Sequence, residues 1–87
     1  MTELHEIAKT IMKISNQEEI SAFLTELFTE NEILTISKRW RILKMLASGA
    51  TQRDIAKKLQ VSLCKVTRGS KIFKDKNSLI TKYLRKD

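Results

Sequence analysis

Residues 52–74, QRDIAKKLQVSLCKVTRGSKIFK, constrain this chain more than any other stretch, because they read as two short helices joined by a tight turn. In the first helix Ile55 and Leu59 lie four residues apart on one face, with small Ala56 beside them, so that face can pack closely. Ser62 is a suitable N-cap for the second, since its hydroxyl can accept from a first-turn N–H that has no partner inside the helix. The second helix is therefore predicted from Leu63. Leu63, Val66 and Phe73 are its core-facing candidates, while Lys65, Thr67, Arg68, Ser70, Lys71 and Lys74 leave the other face polar and nearly all positive. One helix packs and the other is presented outward, which is the helix-turn-helix arrangement for a DNA groove. At the turn, Gln60 takes the place where glycine would reach positive φ without steric penalty, predicting a longer or differently shaped turn. The rival reading is an ordinary pair of amphipathic helices with a solvated basic face.

Charge distribution separates these two readings. The formal net charge is +7 over 87 residues, but it is not spread evenly. Residues 1–36 carry Glu3, Glu6, Glu18, Glu19, Glu26, Glu30 and Glu32 against only Lys9 and Lys13. Residues 37–74 carry eleven bases (Lys38, Arg39, Arg41, Lys44, Arg53, Lys57, Lys58, Lys65, Arg68, Lys71, Lys74) against Asp54 alone. A strong positive field thus coincides with the helix pair, and it suits a phosphate backbone. A face kept basic merely for solubility does not account for such segregation.

Other classes find little support. One His and one Cys, His5 and Cys64, with scattered carboxylates, offer neither acid–base nor nucleophile pairing, so the chain is not expected to be an enzyme. Nor do they offer metal-ligand spacing, and a lone Cys excludes an intrachain disulfide, which fits a reducing cytoplasm. No apolar run approaches the roughly 20 residues needed to span a bilayer, and the acidic N-terminus is wrong for a signal peptide. A soluble, cytoplasmic protein is expected.

Apolar residues recur at helical spacing almost throughout, there is no Pro, and the only glycines are Gly49 and Gly69, which together predict an all-α chain of six helices. Thr2 can cap a first helix carrying Leu4, Ile7, Ala8, Ile11 and Met12. Ser15-Asn16-Gln17-Glu18 reads as a capping box ahead of Ile20, Phe23, Leu24 and Leu27. Thr29-Glu30-Asn31-Glu32 is another, opening the longest helix, about residues 30–48, which Gly49 can end in the left-handed conformation. Ile33, Ile36, Trp40, Leu43 and Ala47 form one stripe of it, with Trp40 expected in the core and His5 exposed. Thr51 starts the helix-turn-helix, and a break at Asp75-Lys76-Asn77 precedes a last helix with Leu79, Ile80, Tyr83 and Leu84. One domain is expected: a helical dimerisation core over 1–50, the helix-turn-helix over 51–74 and a C-terminal helix over 75–87. The first two helices and the last have apolar faces without an obvious intramolecular partner, so an obligate, intertwined homodimer is predicted.

Leu27-Phe28-Thr29-Glu30-Asn31-Glu32, Lys38-Arg39-Trp40-Arg41-Ile42, Gly49, Gln52-Arg53-Asp54 and above all Val66-Thr67-Arg68-Gly69-Ser70 resemble the tryptophan operon repressor family. The likeness covers roughly residues 20–74. It implies an interlocked all-α dimer that binds operator DNA when L-tryptophan, the corepressor, occupies a pocket beside the recognition helix. The groove docking itself is a known property of that family. By matching position, the resemblance implies that Arg39 and Arg68 flank the indole ring and that Arg68 with Thr29 holds the carboxylate. Backbone carbonyls near Glu26 and Phe28 would face the ammonium, Gly69 would let the ring approach closely, and Leu43 would line the pocket. Each has a plainer rival: Arg39 a solvated residue, Arg68 a phosphate contact, Thr29 a helix cap, Gly69 a packing requirement. The chain departs from the family at Ile72, where a small hydroxyl residue would stand near the ligand ammonium, and at Gln60-Val61-Ser62. An apolar group there removes a hydrogen bond, so another indole, or no ligand, is also open.

For DNA, Arg53 is expected to reach a guanine edge through two donors. Thr67, Lys71 and Lys74 would lie along the groove-facing side, Lys57 and Lys65 would contact phosphates, and Leu63 and Cys64 could touch thymine methyls. Cys64 is also open to the plainer reading of a small, semi-buried apolar residue, and that reading is the favoured one. The functional expectation is a sequence-specific repressor gated by L-tryptophan or a related indole. The alternatives are a corepressor-independent DNA-binding relative and a basic protein-interaction module without operator binding.

Overall fold

Each helix begins where a side chain supplies the acceptor that its first turn lacks. A computed structural model describes residues 2–84, and in it α1 (Glu3–Lys13), α2 (Gln17–Leu27), α3 (Glu30–Ala47), α4 (Gln52–Leu59), α5 (Leu63–Lys74) and α6 (Leu79–Leu84) follow in order. The described residues contain no strand, so the fold is all-α as the periodicity requires. Thr2 Oγ1 accepts from His5 N at 3.3 Å, Thr51 Oγ1 from Asp54 N at 3.1 Å and Ser62 Oγ from Lys65 N at 3.3 Å. At α3 the exchange is reciprocal: Glu32 N donates to Thr29 Oγ1 at 3.1 Å, and Thr29 N to Glu32 Oε1 at 2.9 Å.

At α2 the expected cap is displaced by one residue. Asn16, not Ser15, caps it: Asn16 Oδ1 accepts from Glu19 N at 2.8 Å while Asn16 Nδ2 donates to Glu19 Oε1 at 3.2 Å. Both residue types cap well, but only Asn has a second group with which to meet a carboxylate three residues on. Residues 85–87 of the expected C-terminal helix lie outside the described residues. At its start, Ser78 Oγ accepts from Thr81 N at 3.3 Å, and Thr81 Oγ1 donates to Ile72 O at 3.2 Å, tying α6 to the end of α5.

Two helix ends use the left-handed region. Gly49 (φ 96°) ends α3, with Ala50 N donating to Met45 O and Gly49 N to Leu46 O, the pairing that satisfies the last free carbonyls. Gln60 does the same for α4 at φ 55°, ψ 48°, with Val61 N donating to Ala56 O. The turn is therefore neither longer nor reshaped: Gln60 itself accepts the conformation that glycine would take without a Cβ penalty.

The chain forms two compact units, Met1–Ile33 and Leu34–Asp87. In the first, Ile7, Ile11, Ile20, Phe23 and Leu24 are half-buried, and neither α1 nor α2 has a fully buried residue. The second holds the core, where Ile42, Ile55 and Val66 meet with Met45, Leu46, Ala50, Ala56, Leu59 and Val61 around them. Ile55 and Val66 are fully enclosed, at 0% exposure. The last half of α3, assigned by sequence to the segment before the helix-turn-helix, thus packs with α4 and α5 and forms their floor. Gly69 makes the approach possible. A Cβ there would lie 3.2 Å from Leu46 Cδ1 and 3.3 Å from Ile42 Cγ2.

The strained turn yields a stability test. A non-glycine residue in the left-handed region costs about 1–2 kcal/mol, and glycine's greater freedom in the unfolded chain returns roughly 0.5–1 kcal/mol of that. Gln60→Gly should therefore raise stability to urea unfolding by about 0.5–1 kcal/mol. A destabilised variant would show that the Gln60 side chain makes a compensating contact.

Candidate nucleic-acid interface

Burial decides which side of each helix of the motif is displayed. In α4, Ile55 is fully enclosed, and at 100° per residue Arg53 and Lys57 project about 160° away from it, one turn apart. Both are exposed. In α5 the buried residues are Val66, Gly69 and Phe73, so the opposite side is centred on Cys64 and Lys71 with Thr67 beside them, while Leu63 and Lys74 lie at its edge, all of them exposed. Apart from Lys65, the residues expected to meet DNA thus occupy two outward faces of one compact unit. Lys65 is exposed too, but it sits on the flank of α5, on the side of Arg68 and Ile72, where a backbone contact suits it better than a base.

Three expectations change here. Leu63 is not part of the core; it is 50% exposed at the start of α5. Cys64 is not semi-buried but exposed, near the middle of the outward face. The causes differ: Cys64 lies about 160° around α5 from buried Val66, whereas Leu63, only about 60° from it, is half exposed as the first residue of the helix. Trp40, read as core, is 45% exposed, because α3 meets α5 through Ile42 and Leu46.

The residues expected to bind a corepressor divide between the two units. Phe28 and Thr29 belong to the first. Phe28 is half-buried at the C-cap of α2, and Thr29 is exposed as the cap of α3, so its hydroxyl already serves the helix start. In the second unit Arg39 and Arg68 are exposed, Ile72 is half-buried, and Leu43 is buried at 3% exposure. Gly69 and Leu43 are brought together: a Cβ at Gly69 would lie 3.6 Å from Leu43 Cδ2. The missing side chain at Gly69 thus has a structural use, seating α5 on α3.

A cavity of about 300 Å³ lies elsewhere, lined by Arg41, Lys44, Met45, Ser48 and Leu59. Arg41, Lys44 and Ser48 face the side of α3 opposite Arg39, and no corepressor candidate lines it. Among the described residues no group of His, Cys, Asp or Glu could hold a metal ion, and no helix is long and apolar enough to cross a membrane. One residue of the interface escaped sequence reasoning. Gln52 counts there as part of the motif with no contact assigned to it, but its side chain accepts a hydrogen bond from Thr67 Oγ1 at 2.9 Å.

Comparison with known proteins bears on the family of the chain. A family model described as Trp repressor protein matches residues 2–87, well beyond the stretch that carries the motif resemblance. Trp operon repressor homologs from three strains of Xylella fastidiosa (M23, Temecula1 and 9a5c) are each 32% identical over 81 residues, covering 92% of this chain and 86% of theirs. No solved structure matches the chain.

Proposed function

This chain belongs to the Trp repressor family, and we propose that it is a cytoplasmic, sequence-specific transcriptional repressor that binds operator DNA as a homodimer, gated by L-tryptophan or a related indole. The observation that carries the DNA reading is the double outward face: Arg53 and Lys57 opposite enclosed Ile55, and Thr67 and Lys71, with Lys74 at the edge, turned away from buried Val66 and Phe73. These cations occur in a segment whose one acid is Asp54. Arg53 donates to a guanine edge from the start of α4, α5 lies in the groove, and Lys57 and Lys65 neutralise phosphates. The exposed thiol of Cys64 and the half-exposed Leu63 offer apolar contact to thymine methyls.

The dimer reading rests on unsatisfied apolar surface. Neither α1, α2 nor α6 has a buried residue, and Leu4 and Met12 are 72% and 85% exposed. A second copy covers these faces and supplies a two-fold related recognition helix, so that two α5 helices meet successive major grooves about 34 Å apart. The corepressor reading takes Arg39 and Arg68 as the ring's flanks, Thr29 and Arg68 as the carboxylate's partners, and Phe28, Leu43, Gly69 and Ile72 as lining. Binding there would set the tilt of α5 and so favour the DNA-competent state.

A second reading, DNA binding with no small molecule, is favoured by two observations: Ile72 offers no hydrogen bond to an ammonium, and Gly69 is already occupied by its contact with α3.

Four measurements test these statements. Selection of duplexes from random DNA, with and without L-tryptophan, should enrich a palindromic site; no enrichment in either condition would defeat operator recognition. Arg53→Ala should then cost about 1–3 kcal/mol on that site and much less on a scrambled one; equal loss on both would make Arg53 a phosphate contact. Calorimetry with L-tryptophan should give heat and a thermal shift at millimolar ligand, and absence of both would eliminate tryptophan as the corepressor. Light scattering should give a dimer mass at micromolar concentration, against which a stable folded monomer would count decisively.

A further inference from the structure

Thr67 Oγ1 donates to Gln52 Oε1 at 2.9 Å, joining side chains fifteen positions apart and linking the first residue of α4 to the middle of α5. The bond assigns the polar groups of both partners. A threonine hydroxyl has one proton, and a glutamine amide has an acceptor end and a donor end. With the proton delivered to Oε1, the acceptor end of Gln52 is turned toward α5 and both N–H bonds of its nitrogen are left for a partner outside the protein. Glutamine reads adenine by accepting and donating at once, and this bond engages the accepting end. What remains is a double donor, suited to a partner that only accepts.

Position narrows that partner. Gln52 lies about 60° around α4 from enclosed Ile55 and is half-buried, whereas Arg53 projects on the far side. Arg53 therefore enters the groove while Gln52 stays at its rim, where the acceptors are phosphate oxygens. We propose that Gln52 is a phosphate-backbone contact, and that Thr67 is a positioning residue that holds the Gln52 amide with its donor end toward the nucleic acid. The inference rests on the DNA-binding reading above. It changes the part played by Thr67, whose hydroxyl proton goes to Gln52 and not to a base.

The test uses the full chain, the selected operator duplex and a scrambled duplex, with circular dichroism melting to verify folding. Thr67→Val, which keeps the shape and removes the hydroxyl, should weaken binding about fivefold on both duplexes, the value of one hydrogen bond. Thr67→Ser, which keeps the hydroxyl, should stay within about twofold of the parent chain. Gln52→Ala should match Thr67→Val, and the double variant should be no worse than either, because the two act as a unit. The dependence of affinity on salt should keep its slope, since a neutral amide displaces no counterion. Loss confined to the operator would make one of the pair a base reader, and additive losses would uncouple them; a smaller salt slope would mean that Thr67→Val disturbs the lysine contacts. Each overturns the proposal. Variants that bind like the parent chain would remove this inference alone, whereas a parent chain that binds neither duplex would remove the DNA-binding reading with it.

Discussion

The crossing of α5 over α3 at Gly69 is the contact on which the rest of the helix-turn-helix depends. A methyl group there would meet Ile42 Cγ2 and Leu46 Cδ1 at 3.3 and 3.2 Å. Leu46 is half-buried, but Ile42 is buried and β-branched, with little freedom to turn aside. A glycine inside a helix costs about 1 kcal/mol relative to alanine, and close packing of two helices is what offsets it. Once α5 is seated, the rotation of its other residues is determined. Val66 and Phe73 go inward to join Ile55, and the opposite side is displayed whether or not its residues favour exposure. Cys64 is outside for this reason.

The same seating organises charge. Among the described residues none that is buried is polar or charged, so the eleven bases of residues 37–74 lie on surfaces of the unit that holds the core, with Asp54 the one acid of that stretch. Mutual repulsion among them disfavours the compact state in isolation. A polyanion relieves that repulsion while it gains contacts, and a segregated field of this sign is therefore better explained by a phosphate partner than by solubility. The caps contribute order at the same place: Thr51 and Ser62 start α4 and α5 within the motif itself.

Burial elsewhere is incomplete, and unevenly so. Among the described residues all fully enclosed side chains lie in Leu34–Asp87, while α1 and α2 in the first unit contribute none. Their apolar stripes are as regular as those of the core helices. Amphipathic pattern specifies that a face will be covered, not by what. That is the physical basis for reading these helices as the part of the chain that a second copy completes.

The helices, their caps and the outward basic residues were legible in the sequence because they depend on neighbours within four positions. Thr29 with Glu32, Thr51 with Asp54 and Ser62 with Lys65 each bond over three residues. Even the miss at Ser15 was local, a choice between two adjacent capping residues that Asn16 won through its second polar group. What the sequence determined by itself is thus an all-α chain with a basic helix-turn-helix. The tertiary structure decided the rest: that Gly69 is consumed by helix packing, that Trp40 is half exposed, that Gln60 bends backward in place of glycine, and that Thr67 turns its proton to Gln52. Each of these follows from a partner many positions away or from a backbone angle that no residue type dictates, and local pattern carries no information about either.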